Sequence, residues 1–255
     1  MREARWKVAR ARTFGQCCRV TPKLRAAALS DIGLLRHENQ DRCLFDEEHA
    51  LFGVADGVGG LRGGAAAATA AAEAVESAVR ALPPGADPDM AAIVREAHLQ
   101  TTLAGKPIDP AFGIATTLTF GCQRGGRMLI AHVGDSRCYV WRGGKCFRLT
   151  EDHSVENEAK RRGEPFPAAH AQALVRSIGQ SPEPVPDLIA RPLLKGERYL
   201  FCTDGIARVL AEGELCAILG GDGEPADVLG RLIALALRRG GPDNASGVLV
   251  FVDAV

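Results

Sequence analysis

Strand and helix signals come in blocks along this chain of 255 residues. Short apolar or alternating segments dominate residues 24–56 and 116–149, an alanine-rich helix signal covers 63–82, and an amphipathic helix signal at 224–239 precedes an apolar strand signal at 245–252. A strict alternation of strands and helices would instead predict parallel βαβ units. The block order therefore favours an α+β layered domain with mostly antiparallel sheets.

The charge balance makes two classes of partner improbable. Lys and Arg number 31, Asp and Glu also number 31, and the formal net charge is zero. Such a chain has no long-range attraction for nucleic acid or for an anionic bilayer. No segment approaches the roughly 18 consecutive apolar residues that a membrane span needs. We expect neither nucleic acid nor a membrane as a partner, so an anionic substrate must be bound by local placement of charge.

The N-terminal residues and the cysteines bear on processing and compartment. Residues 1–23 are basic, and no apolar run typical of a secretory signal follows them. A solvated tail is the favoured interpretation, and contact with phospholipid or RNA is the alternative. The eight cysteines form no CxxC pair, and several lie in apolar segments, so we interpret most as buried reduced thiols. We predict a cytoplasmic protein with a basic tail and a single domain over residues 24–255.

Acidic residues stand where predicted strands end. Asp56 lies in VADG, Asp204 in FCTDG and Asp135 in HVGDSR, while Asp243 lies in a turn before the last predicted strand. One Asp-Gly pair is most often just a turn. Several ionised carboxylates at one sheet edge would repel each other, and each is costly there unless it is paired or metal-bound. The pattern predicts a divalent-cation site, and oxygen ligands favour Mg²⁺ or Mn²⁺ over Zn²⁺.

A basic residue accompanies these acids. Arg36, in GLLRHENQD, shortly precedes Asp41. A guanidinium among carboxylates is suited to a bidentate grip on phosphate, although a structural pair with Asp41 is the commoner role of such an arginine. Because no Ser or Cys nucleophile motif is present, the arrangement indicates hydrolysis by metal-activated water.

The same residues belong to an ordered series of motifs that spans about residues 25–252. In chain order, the series consists of Ser30–Asp31–Ile32–Gly33, Arg36 with Asn39–Gln40–Asp41, Val54–Ala55–Asp56–Gly57–Val58–Gly59–Gly60, Gly113–Ile114–Ala115–Thr116–Thr117, Val133–Gly134–Asp135–Ser136–Arg137, Leu149–Thr150 with Asp152–His153–Ser154, Cys202–Thr203–Asp204–Gly205, and Asp243–Asn244–Ala245–Ser246. This series resembles the metal-dependent (PPM, type 2C) protein serine/threonine phosphatases. Its VADGVGG spelling and compact length are similar to the bacterial branch.

The resemblance implies a four-layer α-β-β-α sandwich with a binuclear metal site in a cleft at one end. Asp56 would bridge two Mn²⁺ or Mg²⁺ ions, and Gly57 would add its backbone carbonyl to one of them. Asp204 and Asp243 would hold the other ion. Asp135, together with Asp204, matches a weaker third-ion position.

The resemblance also implies a reaction. Arg36 matches the phosphate-gripping arginine, and Asp41 matches an acid that hydrogen-bonds metal-bound water. A hydroxide that bridges the two ions would attack phosphoserine or phosphothreonine in a protein substrate, opposing a bacterial serine/threonine kinase. Val58 stands where eukaryotic relatives have a histidine, and Gln172, in a flap insertion at about 151–186, stands where some bacterial relatives have a serine. We expect a monomer.

Two other functions remain open at this point. A catalytically weak, phosphoprotein-binding regulatory module of the same fold is the first, although such a module has no need of four costly carboxylates. A nucleotide-binding enzyme is the second, because the glycine-rich residues 57–64 precede a helix whose N-terminus could hold phosphate. Arg62 stands where a GxGxxG motif requires its third glycine, and no GK[ST] follows, so the nucleotide motif is weak.

Overall fold

The computed structural model describes residues 22–58, 63–83 and 85–255. Within them lie ten strands: β1 (Lys23–Asp31), β2 (Asp41–Asp46), β3 (Leu51–Asp56), β4 (Leu118–Arg124), β5 (Arg127–Val133), β6 (Arg137–Arg142), β7 (Lys145–Arg148), β8 (Asp187–Pro192), β9 (Arg198–Cys202) and β10 (Ala245–Ala254). The same residues form six α-helices: α1 (Gly64–Arg80), α2 (Met90–Gly105), α3 (Val155–Arg162), α4 (Asp204–Ala207), α5 (Glu212–Leu219) and α6 (Pro225–Arg238).

Some predicted features lie outside these residues. The predicted basic tail does so except for Pro22 and Lys23, and Lys23 is the first residue of β1. Residues 59–62 of the glycine-rich segment lie outside as well. Among the described residues, none of the helices is long and apolar enough to cross a membrane.

Two antiparallel sheets form the centre of the described part of the chain. One has the order β1-β10-β9-β6-β7 and the other the order β2-β3-β4-β5-β8. Every strand pair within them is antiparallel. Helices α1 and α2 pack on the outer face of the second sheet, and α4, α5 and α6 pack on the outer face of the first. The predicted α+β, four-layer α-β-β-α sandwich with two central antiparallel sheets is confirmed.

The alternation of side chains along β3 explains where the acidic site forms. Leu51 and Ala55 are buried beneath the α1 and α2 layer, whereas Phe52 and Val54 belong to the core between the two sheets. Side chains of a strand point to opposite faces in turn, so Asp56 shares the inter-sheet face with Phe52 and Val54. Apolar residues fill the middle of this face, and the acid stands at its end.

Helix α1 covers the end of β3 because its contact residues are small. Five of its alanines are buried: Ala67, Ala68, Ala71, Ala72 and Ala74. A Cβ on Gly57, the residue after β3, would lie 2.4 Å from the carbonyl carbon of Gly64. Only glycine at position 57 therefore permits this approach of the helix to the strand end.

Residues 151–186 connect β7 of one sheet to β8 of the other and carry α3 and a 3-10 turn at Ala168–His170. The basic run of α3 lies on an exposed face. Lys160 pairs with Glu156 at 2.7 Å, and Arg162 pairs with Glu158 at 2.7 Å. These i,i+4 pairs are the usual arrangement on a solvated helix face.

A glycine next to the acidic site provides a first test of packing. Gly205 lies in α4, and a Cβ there would lie 1.9 Å from the carbonyl oxygen of Asn244. We expect Gly205→Ala to lower the free energy of unfolding by about 2 kcal/mol or more, because backbone must move. In the matched variant Gly213→Ala of α5, the new Cβ would meet nothing within 4 Å. That variant should be neutral or stabilise by up to about 1 kcal/mol. Urea unfolding measures both, and equal midpoints would contradict the expectation.

Candidate metal centre

Asp41 and Asp56 face each other at the open end of the inter-sheet core. The antiparallel register of β2 and β3 places them directly opposite. Asp41 is only 2% exposed. The hydroxyl of Thr203, which follows β9 in the other sheet, donates to Asp41 Oδ2 at 2.9 Å. A hydrogen bond thus joins the two sheets at the base of the site.

Two threonines fix the backbone of Asp56. Its N–H donates to Thr117 Oγ1 at 3.0 Å, and its carbonyl accepts from the Thr116 hydroxyl at 2.8 Å. Thr117 Oγ1 also lies 2.7 Å from the hydroxyl of Ser136, which follows Asp135. The strand end that carries Asp56 is therefore tied to the β5–β6 loop that carries Asp135.

Asn244 ties the loop of Arg36 to the turn of Asp243. Its Oδ1 accepts from the backbone N–H of Gln40 at 2.9 Å, and its Nδ2 donates to the carbonyl of Ile32 at 2.8 Å. Arg36 Nη2 lies 2.6 Å from Asp243 Oδ2, and the arginine side chain is 40% exposed. This places a partly exposed guanidinium beside the buried acids.

Asp204 and Asp135 share one arginine. Asp204 begins α4 directly after Thr203, and Asp135 lies buried in the β5–β6 loop. The guanidinium of Arg208 pairs with Asp135 through Nη2, and its Nη1 lies 3.5 Å from Asp204 Oδ2.

The structure thus brings every residue of the predicted site to one end of the sandwich. These residues are Arg36, Asp41, Asp56, Gly57, Asp135, Asp204 and Asp243. Sequence reasoning assigned no role to Thr117, Thr203, Asn244 or Arg208. The first three lie inside the quoted motifs, and Arg208 follows Asp204 by four residues, which is one helical turn.

Burial, followed by mutual repulsion, raises the pKa values of the acids in this cluster. Burial raises the pKa of Asp41 to about 6 and the pKa of Asp135 to about 7. The pKa of Asp56 is raised well above its ordinary value, first by burial and then by the charges of the other four acids. Arg36 and Arg208, which pair with acids of the cluster, offset only part of this negative charge. The site therefore favours the binding of further positive charge.

The donor set fits divalent ions. Asp41 Oδ1 and Asp204 Oδ1 are both buried, and neither has a hydrogen-bond partner among the described residues. A buried carboxylate oxygen without a partner is costly, and a bound cation would explain it. In the described part of the chain, no three acidic, histidine or cysteine side chains already surround one point as ligands. Asp243 and Asp135 face Arg36 and Arg208 instead, so binding of ions requires some rearrangement of these ion pairs.

The raised pKa values predict how the stability of the metal-free protein depends on pH. The pKa of Asp135 is about 7 in the folded protein, against an ordinary value of about 3.9, so the folded state binds more protons across that interval. Stability contributed by this excess proton is lost as the pH rises through about 7. We expect the melting temperature in EDTA to fall by about 2–4 °C between about pH 6.5 and pH 8. Differential scanning calorimetry measures it.

Two controls isolate the effect of Asp135. Below about pH 6.5 the buried His132 opposes the trend, because burial lowers its pKa to about 3, and the chosen pH range avoids that titration. Asp135→Asn should flatten the decline of the melting temperature with pH. Saturating Mn²⁺ should change the size of that decline. A metal-free melting temperature that rises with pH over this range would contradict the prediction.

Comparison with known proteins places the chain in a family. A family model described as protein phosphatase 2C matches residues 36–221. The serine/threonine protein phosphatase PstP of Mycobacterium tuberculosis is 34% identical over 241 residues, which cover 92% of this chain and 46% of PstP. The chain therefore spans about half the length of that relative.

Solved structures agree with this match. The S. agalactiae serine/threonine phosphatase has a TM-score of 0.83 and 29% identity, covering 91% of this chain and 100% of that one. The catalytic domain of PstP in complex with two manganese ions has a TM-score of 0.79 and 31% identity, covering 91% of this chain and 99% of that domain. The fold, the acidic cluster and the family match over residues 36–221 together show that this chain belongs to the protein phosphatase 2C family.

Proposed function

We propose that the protein catalyses metal-dependent hydrolysis of phosphoserine and phosphothreonine monoesters in protein substrates. The observation that carries the proposal is the convergence of five acidic side chains beside a partly exposed arginine. Two of these acids have a buried oxygen that finds no hydrogen-bond partner within the described part of the chain. Family membership and the manganese-bound PstP structure support it. We further propose a bacterial serine/threonine kinase as the opposing enzyme, and a single monomeric domain over residues 24–255 with a flap at about 151–186.

The site would hold two ions, Mn²⁺ or Mg²⁺. Asp56 would bridge them, the carbonyl of Gly57 would add to one, and Asp204 and Asp243 would hold the other. When bound, the ions would lower the pKa of coordinated water and so supply the nucleophile for hydrolysis of the phosphate ester.

Arg36 would bind the phosphoryl oxygens of the substrate. Its planar guanidinium can donate two parallel hydrogen bonds to a phosphate. Its side chain is 40% exposed and pairs with Asp243 at 2.6 Å, so it stands where solvent meets the acidic cluster. A phosphate bound there would have its charge neutralised on the side that faces solvent.

Asp41 would orient the attacking water. Thr203 holds its Oδ2, which leaves the buried Oδ1 to accept a hydrogen bond from that water. The pKa of Asp41, raised to about 6 by burial, keeps proton exchange accessible near neutral pH. Val58 stands where eukaryotic relatives have a histidine, and a valine side chain cannot donate a proton. Position 58 therefore supplies no general acid for protonation of the leaving alkoxide.

Turnover of a phosphothreonine peptide with added Mn²⁺ tests the proposal. We expect Asp204→Asn to lower kcat/KM by about 10²-fold or more, because a charge that holds the metal centre is lost. Asp222→Asn removes an exposed acid from another loop and should leave kcat/KM unchanged. Equal activity of wild type and Asp204→Asn would contradict the role of Asp204. Binding of the phosphopeptide by metal-loaded protein without turnover would instead indicate a regulatory module.

A further inference from the structure

One positive side chain lies between two acids of the cluster. Arg208 follows α4, and its backbone N–H donates to the carbonyl of Asp204 at 2.8 Å. The side chain returns along this single turn, so that Nη2 pairs with Asp135 and Nη1 lies 3.5 Å from Asp204 Oδ2. The Arg208 side chain is 25% exposed, whereas that of Asp135 is 8% exposed. The guanidinium thus covers Asp135 from the solvent side.

Asp135 and Asp204 are also the two acids to which the resemblance to the type 2C phosphatases assigns a weaker third ion. An arginine side chain stays charged in proteins, and its planar group donates hydrogen bonds in fixed directions. A divalent ion that bound both carboxylates from this side would have to displace the guanidinium and leave it beside the incoming charge. The residues present therefore do not fit a third ion.

A second arginine strengthens this conclusion. Arg137 holds Asp152 through two contacts, Nε to Oδ1 at 3.0 Å and Nη2 to Oδ2 at 2.7 Å. It also donates to the carbonyl of Ala207 at 2.9 Å, directly before Arg208. Its charge acts on both Asp135 and Asp204, although Asp152 offsets part of it. The neighbourhood of Asp135 already contains two fixed cations.

The two oxygens of Asp204 have different surroundings. Oδ2 lies 3.5 Å from Arg208 Nη1, whereas Oδ1 is buried without a hydrogen-bond partner among the described residues. Contact with the arginine on one side leaves the other oxygen available to a metal ion. Arg208 is thereby a positioning residue for Asp204.

We propose that Arg208 is a built-in cation that replaces the third metal ion, holding Asp135 and orienting Asp204 for a centre of two ions. The inference rests on the proposed function for the two-ion centre. In this arrangement, Asp135 pairs with Arg208 and is not a metal ligand.

Counting bound Mn²⁺ tests this without measuring turnover. Electron paramagnetic resonance of free Mn²⁺, titrated into metal-free protein at rising total concentration, gives the number of ions bound per chain. We expect two ions in the wild type and in Asp135→Asn, and one additional ion in Arg208→Ala and Arg208→Asn. The double variant Arg208→Ala/Asp135→Asn should return to two. Arg80→Ala, which removes an arginine paired with Asp46 elsewhere, is the control and should bind two.

Several outcomes would overturn the inference. Three ions in the wild type, with the third lost in Asp135→Asn, would show that the arginine yields to a metal. No additional ion in folded Arg208→Ala, or an additional ion that survives Asp135→Asn, would also refute it. If the Arg208 variants fail to fold, the comparison of wild type with Asp135→Asn decides. Turnover of the phosphopeptide is measured separately, so loss of the proposed function and loss of this inference remain distinguishable.

Discussion

Asp56→Asn is expected to abolish Mn²⁺-dependent turnover and, at the same time, to raise the melting temperature of the metal-free protein. Asp56 is partly buried and faces Asp41 across the β2–β3 pair. Its raised pKa means that its ionised form is destabilising when no metal is bound, and the amide has nearly the same shape without the charge. We expect kcat/KM to fall by about 10³-fold or more. The melting temperature in EDTA should rise by about 2–4 °C, and the increase that Mn²⁺ gives the wild type should be lost.

Asp46→Asn is the matched control, because Asp46 lies on β2, the strand that pairs with the strand of Asp56, at the end away from the site. Burial raises its pKa, but the contacts with Arg80 and His49 together outweigh this and lower the pKa to about 2. The ionised form of Asp46 therefore stabilises the folded protein above its unfolded pKa of about 3.9. Asp46→Asn should lower the melting temperature and leave turnover intact. If Asp56→Asn also destabilised the metal-free protein, Asp56 would be a structural acid like Asp46.

The location of Asp56 could be predicted from sequence because it depends on local rules. An apolar strand that ends in Asp-Gly places the acid at a sheet edge, and the alternation through Phe52 and Val54 determines which face it occupies. The block order of strands and helices likewise predicted the layered fold. The ordered motifs then brought the separate acids into one predicted site.

The pairings within the site could not be predicted in the same way. The direct opposition of Asp41 and Asp56 depends on the register of β2 and β3, which the turn between them sets. The pairing of Arg208 with Asp135 could not be predicted, because α4 is a single turn of four residues. Such a short helix has no hydrophobic period that a sequence could show. Thr203 and Asp41 are 162 positions apart in sequence, so their hydrogen bond depends on the packing of the two sheets.

Replacement of Arg36 is expected to have the second large effect on catalysis, because this arginine offsets part of the negative charge of the acids. Arg36→Ala should lower kcat/KM for a phosphothreonine peptide by about 10²–10³-fold, because charge-assisted contacts to the phosphoryl group are lost. The inhibition constant of inorganic phosphate should rise in parallel. Mn²⁺ affinity should increase, because Asp243 no longer pairs with the guanidinium at 2.6 Å and becomes free to bind the ion. Arg36→Lys should recover only part of the activity, since a lysine cannot donate in the planar, bidentate geometry.

The sequence left two roles open for Arg36, binding of phosphate and a structural ion pair with an acid. A loss of kcat/KM together with a gain of Mn²⁺ affinity in Arg36→Ala would distinguish them. If the arginine served only as the structural partner of an acid, its removal would leave phosphate inhibition unchanged. Arg95→Ala is the control, because Arg95 is an exposed arginine of α2 and should alter neither quantity. Weaker Mn²⁺ binding in Arg36→Ala, together with unchanged phosphate inhibition, would assign the residue to the structural role. Tighter Mn²⁺ binding with weaker phosphate inhibition would show that the arginine restrains the metal site when substrate is absent and binds the phosphoryl group when it is present.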